Sequence, residues 1–222
     1  MHIPDGFINL PTSAGFGAAA AGGIWYSLRR AAAFLDDRRI PLAGLAAAFV
    51  FAAQMINFPV AGGTSGHLIG GVLAAVLLGP WLGVIVLTVV LVVQGIFFAD
   101  GGLSALGLNV FNMAILGAVG GYGVYLLVVR LLPKRAVMVP LAAGIAAGVS
   151  VVLAALGFSL QYAIGGEGGV DAGTVAAAMV GVHVLIGIGE GIITALVVGS
   201  VMATRPDLVA GARFVEAEAV HG

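Results

Sequence analysis

A chain that starts Met1-His2 offers three nitrogens in one short stretch: the α-amine of Met1, the main-chain N–H of His2 and the His2 imidazole. If the amide releases its proton, these three close fused chelate rings in one plane around a divalent ion. That tetragonal nitrogen geometry suits Ni(II) or Cu(II), and the fourth ligand has to come from elsewhere. Met1 is expected to be retained, because the initiator methionine is removed ahead of small residues and histidine is not small. Pro4-Asp5-Gly6 is a turn signal that would hold the end in place, Pro presetting φ and Gly supplying freedom. By itself the stretch also fits a frayed terminus with a chance histidine.

The second imidazole to consider is His67. It follows Asn57-Phe58-Pro59-Val60-Ala61-Gly62-Gly63-Thr64-Ser65-Gly66 and begins an apolar run that Gly79-Pro80 stops. The run predicts a helix over about 65–79, which at ~1.5 Å per residue reaches only about 22 Å against a hydrocarbon core of about 30 Å. Its outer end should therefore start below the membrane surface. The irregular backbone before it is tolerated there only if protein buries it or it lines a wet cavity. Short segments interrupted by Gly and Pro are the sequence pointer to a transport site. With Thr64 or Ser65 as N-cap, His67 falls in the first helical turn, where the positive end of the dipole favours the neutral, metal-ligating imidazole. A polar group bonded to a carbonyl or water at a helix end is the other way to read His67.

The elements that must position these groups read as membrane. Of the 222 residues, 61% are hydrophobic and 9% charged, with a mean hydropathy of +1.16, far from the roughly 25% charged residues of soluble chains. The fold class expected is an all-α, polytopic membrane helical bundle. Seven transmembrane helices are expected at about 10–33, 41–58, 65–79, 81–99, 104–132, 137–164 and 172–204. Residues 1–204 would form one integral membrane metal-binding domain and 205–222 a cytoplasmic tail. Thirty-six glycines suit closely packed membrane helices, and the lack of cysteine excludes disulfides and thiolate metal sites. Residues 1–28 contain no Lys or Arg, so the start is not expected to be a cleaved signal.

Charge placement tests the span count independently. Arg29, Arg30, Arg38 and Arg39 flank the first connection, Arg130, Lys134 and Arg135 flank that between helices five and six, and Arg205 and Arg213 follow helix seven. With seven spans and an extracytoplasmic N-terminus, all nine fall on the cytoplasmic side, as does the C-terminus. The opposite connections carry Asp100, Glu167 and Asp171, besides Asp5. A net charge of −1 gives no reason to expect a nucleic-acid partner.

Met1-His2-Ile3-Pro4-Asp5-Gly6-Phe7 together with Gly62-Gly63-Thr64-Ser65-Gly66-His67-Leu68 resembles the CbiM/NikM-type substrate-binding component of cobalt and nickel energy-coupling-factor transporters. The similarity extends over essentially the whole chain, through Phe97-Phe98-Ala99-Asp100-Gly101-Gly102 and Asn109-Val110-Phe111-Asn112-Met113. The resemblance implies that the first helix carries the N-terminus into a cavity, where the Met1 amine, the His2 amide and ring and His67 bind the ion. It also implies partners: a transmembrane coupling subunit of CbiQ type, cytoplasmic ATPases of CbiO type and a small membrane subunit of CbiN type. The last is expected to be separate, since no fused spans follow residue 204. The bacterial inner membrane is the expected location. Transported Co2+ or Ni2+ is the only metal expected, and ATP is used by the partners. The stand-alone form looks more like the cobalt branch that serves cobalamin synthesis, whereas a planar nitrogen site favours Ni(II); cobalt is the expectation.

The residues agree that energy comes from outside this chain. A phosphate-binding loop needs Gly-x-x-x-x-Gly-Lys-Ser/Thr, and the one lysine, Lys134, lies elsewhere. Docking to a coupling subunit could use the small-residue faces Ala14/Ala18/Gly22 or Ala43/Ala47. Buried Glu190 costs about 3 kcal/mol if charged at mid-membrane and should have a partner, with His183 seven residues earlier as one candidate. Asp5, Asn57, Ser65 and Asn109 are candidates to orient the ligands, as are Gln54, Gln94 and Asn112. An intramembrane metalloenzyme is not expected, because His-Glu-x-x-His is absent. A passive metal channel is the remaining rival.

Overall fold

In the computed structural model, residues 1–33, 35–37, 39–60, 64–133 and 135–212 are described. The expectations placed on Arg38, Gly62-Gly63, Lys134, Arg213 and His221 lie outside them. Helix α1 (Leu10–Ala32) starts at Asn9, whose side chain accepts from the Thr12 N–H at 3.0 Å, with Pro11 in the first turn where its missing N–H costs nothing. Helix α2 (Arg39–Gln54) leads to a two-residue strand β1 (Phe58–Pro59), which pairs antiparallel with β2 (Ser65–Gly66). Then follow α3 (Gly71–Leu78), α4 (Pro80–Phe97) and α5 (Leu106–Val110), the last continuing through a π-helical stretch, Phe111–Gly120, into α6 (Gly121–Leu131). The two longest helices, α7 (Met138–Gly165) and α8 (Ala172–Thr204), pack lengthwise on each other. Asp171 caps α8 by accepting from the Thr174 N–H at 3.0 Å.

The protein is thus a mostly helical, multi-pass membrane protein. Four helices are long and apolar enough to cross a bilayer: Pro80–Phe97, Leu106–Leu131, Met138–Gly165 and Ala172–Thr204. Large apolar side chains such as Leu185, Ile188, Ile192 and Leu196 on α8 face outward, as lipid-facing residues do. The core is small-residue packing around α3, all eight residues of which are buried. Between α7 and α8 the contact is backbone on backbone. A methyl group at Gly144 would stand 2.7 Å from the Gly191 carbonyl oxygen, and one at Gly187 the same distance from that of Gly148.

Two expectations need correction. The third helix begins at Gly71, not 65, and neither Thr64 nor Ser65 caps it; Gly70 precedes it in the left-handed conformation at φ 74°. The main-chain groups of 65–70 are bonded elsewhere, to β1, to Gln54 and to Glu190, so the segment stays extended and α3 is only about 12 Å long. His67 therefore stands four residues ahead of the helix, outside its first turn. The tail expected from 205 also packs at first. After two short 3-10 turns, Pro206–Leu208 and Ala210–Ala212, Val209 and Ala212 are buried, and Tyr125 O–H donates to the Gly211 carbonyl at 3.0 Å.

Candidate metal site

The first nine residues form an arm laid along two loops and fixed by its main chain. Ile3 N–H donates to Asn109 Oδ1 at 2.7 Å, and Asn109 Nδ2 donates back to Ile3 O at 3.2 Å, so one amide closes on one residue's peptide groups. Gly102 N–H donates to Ile3 O at 2.8 Å. Asp5 Oδ1 accepts from the Ser104 N–H at 2.8 Å and from its hydroxyl at 2.5 Å, and these bonds hold the exposed Asp5 carboxyl below its usual range. Further on, Glu167 N–H donates to Phe7 O at 3.0 Å and Asn9 N–H to Gly165 O at 2.7 Å, while the Phe7 ring packs on Tyr162. The opposing loop comes so close that a methyl group at Gly102 would stand 2.3 Å from the Asp5 nitrogen. Gly101 adopts φ 93° and lies against His2. The end is not frayed: Met1 and Ile3 are fully buried and His2 nearly so.

The arm brings His2 to His67. His2 Nδ1 and His67 Nε2 are 3.0 Å apart, and the ring centroids 4.6 Å. The other nitrogen of each ring faces an acceptor: His67 Nδ1 lies 2.7 Å from the Leu68 carbonyl, and His2 Nε2 lies 3.2 Å from Gln94 Oε1. The Leu68 carbonyl places the His67 ring proton on Nδ1 and leaves the Nε2 lone pair facing His2, whereas His2 meets an acceptor at both ring nitrogens. Asp100 Oδ1 adds a third acceptor 3.1 Å from His2 Nδ1. The His67 Nε2 lone pair and the Asp100 carboxylate thus converge on His2 Nδ1, an arrangement that attracts a proton or a metal cation there.

The surrounding electrostatics disfavour the proton. Burial pushes the His2 imidazole below its ordinary value, although the hydrogen bond to Asp100 pulls the other way. The Met1 amine is pushed well below its usual value by burial, again against the pull of the Asp100 charge. Burial raises the Asp100 carboxyl, but the bond to His2, the His2 charge and the bond from Asn57 together outweigh it, so the group stays ionised. Neutral nitrogens beside a carboxylate are the protonation states that ligate a divalent ion. Two nitrogens bound at about 2.0–2.1 Å on adjacent corners of a square stand roughly 2.9 Å apart, close to the spacing of the His pair. Among the described residues no group of three or more His, Cys, Asp or Glu converges as a metal cage.

Of the expected orienting residues, Asn109 and Asp5 hold the arm. Asn57, exposed, donates to Asp100 Oδ2 at 3.4 Å and so touches the carboxylate facing His2. No hydrogen bond joins Ser65 to either histidine among the described residues; it lies in β2 opposite Pro59. Gln94 bonds His2, whereas Gln54 Nε2 donates to Ile69 O at 2.7 Å, and Asn112 forms a two-way amide pair with Gln161 across to α7. Glu190 and His183 form no link with each other. Glu190 Oε2 and Oε1 accept from the Ile69 and Gly70 N–H groups at 2.5 and 2.9 Å, while His183 Nδ1 bonds Met179 O at 2.7 Å. Sequence reasoning missed Asp100 as a partner of His2. The signal available was a lone carboxylate just past a span and followed by Gly-Gly. In the structure the turn that presents it is strained, with Ala99 at φ 52°.

Comparison with known proteins gives the class. Residues 2–208 match the family model for CbiM, the cobalt uptake substrate-specific transmembrane region. The chain is 40% identical over 209 residues to a Haloquadratum walsbyi protein named for metal transport, covering 94% of this chain and 93% of that one. It is also 40% identical over 166 residues to the fused nickel transport protein NikMN of Rhodobacter capsulatus, covering 72% of this chain and 48% of that one. A crystal structure of a transition metal transporter superposes with a TM-score of 0.85 at 33% identity over 91% of this chain and 93% of that one. The protein is a membrane component of cobalt and nickel transport, and not an enzyme. It belongs to the CbiM family.

Proposed function

We propose that this chain captures Co2+ for an energy-coupling importer and that its N-terminus is the chelator. The Met1 amine, the deprotonated His2 amide and His2 Nδ1 take three corners of a plane, and His67 Nε2 takes the fourth. The observation that carries this is the 3.0 Å approach of His2 Nδ1, on a buried arm end, to His67 Nε2. An amide that loses its proton puts a negative charge on the ion, and Asp100 lies beside His2 to balance the remainder. Cobalt is the cargo that the family's description favours, and the N-terminal nitrogen set accepts Ni2+ as well.

In this reading the bundle has seven spans, with α1, α2 and the short α3 completing the four longer ones. The arm and Asp100, Glu167 and Asp171 face outward. Arg30, Arg39, Gly79, Tyr122 and Ala210 line one cavity, which groups described cations at the opposite end and supports a cytoplasmic assignment there. The location is the bacterial cytoplasmic membrane, and residues 1–204 act as one domain. Energy comes from a coupling subunit of CbiQ type and ATPases of CbiO type. Ala14, Ala18 and Gly22 on α1 are all exposed and free to pack on a partner helix, more so than the partly buried Ala43 and Ala47. A CbiN-type subunit is a further partner, a role suggested by the fused NikMN relative.

The test is metal uptake by cells carrying the assembled complex. His2→Ala, His67→Ala or one residue inserted after Met1 should abolish uptake with the protein still in the membrane. Uptake by the inserted variant at the unmodified rate would overturn the terminal chelate. Uptake that persists with the ATPase inactivated would identify a passive channel instead. Equimolar Co2+ and Ni2+ competition assigns the cargo.

A further inference from the structure

His183 is fully buried in α8 and takes no part in the chelate proposed above. Its Nδ1 faces the Met179 carbonyl at 2.7 Å, so the ring proton sits on Nδ1 and Nε2 keeps a bare lone pair. That Nε2 has no hydrogen-bond partner among the described residues. A buried imidazole with one nitrogen tied to a carbonyl and the other left open is the arrangement in which histidines are held for metal, because the carbonyl fixes both tautomer and ring direction. His67 is built the same way, its Nδ1 on the Leu68 carbonyl and its Nε2 presented to the site.

The His183 ring packs against the segment that carries His67: a methyl group at Gly66 would stand 3.5 Å from His183 Cε1, the ring atom between the two nitrogens. β2 packs on α8, so His183 lies beside the strand that leads into His67. Packing alone does not explain His183, since an apolar ring of similar volume would avoid the cost of an unpaired buried acceptor.

We propose that His183 Nε2 is a ligand of a second, inner site for a divalent transition-metal ion, shared with His67 Nε2, which takes the ion when it leaves the planar set of Met1 and His2. The inner site has two imidazoles and no deprotonated amide. It therefore binds more weakly and with tetrahedral rather than planar preference, and a handover from a tight planar site to a weaker one lets the ion move on. Glu190, two turns further along α8, is not the next ligand, because both its oxygens are engaged by Ile69 and Gly70. The inference rests on the reading of the chain start as a chelate only for the direction of transfer; the site itself is testable without it.

The chain has four histidines. In purified full-length protein carrying His2→Ala and His221→Ala, only His67 and His183 remain. Loaded with one equivalent of Cu2+, this protein should show two coordinated imidazoles by pulsed electron paramagnetic resonance, which counts them through their remote nitrogens. Adding His183→Gln should leave one and weaken Co2+ binding by roughly tenfold or more. Thermal unfolding verifies that each variant is folded, and His183→Asn repeats the measurement if the Gln variant is not. One imidazole in the starting protein, or the same count and affinity after His183 is replaced, overturns the inner site. A separate spectrum of the unsubstituted protein with Ni2+ reports the planar nitrogen set. Failure there with success at His183 removes the terminal chelate and leaves this site standing.

Discussion

The two imidazoles are delivered by two extended segments held in opposite ways. Residues 1–9 are tied mainly by their own main chain to one end of the bundle, through Asn109, Gly102, Gly165 and Glu167, with the Asp5 side chain on Ser104 as one further tie. Residues 65–70 are tied by side chains reaching out of two helices: Gln54 from α2 holds Ile69 O, and Glu190 from α8 holds the Ile69 and Gly70 N–H groups. The first segment is thus referenced to the rim and the second to the helices. A change in how α2 and α8 sit would move His67 and leave His2 where it is.

Substitutions can break either tether alone. The largest effect is expected from Gly102→Ala, whose methyl group meets the Asp5 nitrogen and the Pro4 carbonyl carbon and pushes the whole arm off the loop. It displaces three of four proposed donors at once, so Co2+ binding by the purified protein should fall by more than the roughly 10–100-fold typical of outer contacts. Asn109→Ala removes both bonds to Ile3 and should weaken Co2+ binding within that roughly 10–100-fold range, with a modest fall in Tm. Glu190→Gln keeps one acceptor where two N–H groups converge. A lost hydrogen bond to a charged group is worth about 1.5–3 kcal/mol, so Tm should fall clearly and metal should dissociate faster through His67, with the arm unaffected as judged by protection of the Ile3 amide from exchange. Equal loss of arm protection in Glu190→Gln would show that the two tethers are one unit.

The smallest effect is a displacement in pH. Burial lowers the Met1 amine and the His2 imidazole, so in the folded chain both are deprotonated at a lower pH than in a free peptide of the same first residues. Protons compete with metal only below those lowered values. Ni2+ binding by the protein should therefore persist at a pH where the peptide Met-His-Ile has already lost it. Coincident titration curves would mean that the arm confers no protection from protons.

Much of this was legible in the sequence because it rests on local signals. Gly79-Pro80 separates α3 from α4 as expected, the long apolar runs became α4, α7 and α8, and the nearness of His67 to His2 is what the family resemblance implied. The failures are long-range. Nothing near residue 65 reveals that Glu190 will take the N–H groups of 69 and 70, and without that knowledge an apolar run after Thr64-Ser65 reads as helix. Asp100 read as one outward charge among several, because its approach to His2 depends on a strained turn at Ala99 and on an arm 98 positions away in sequence. The π-helical stretch from Phe111 has the same apolar pattern as an α-helix and left no separate signal.

The glycines between α7 and α8 have a mechanical consequence. Side chains that interlock fix both the distance between two helices and their relative height, since any sliding must lift ridges out of grooves. Where Gly144 and Gly148 meet Gly187 and Gly191 the backbones touch with only the Ala195 methyl group beside them, so this stretch sets the distance and presents little relief to resist sliding. The seam is a plain bearing, close and smooth, and α8 is the shaft that carries both His183 and the carboxylate tethering His67.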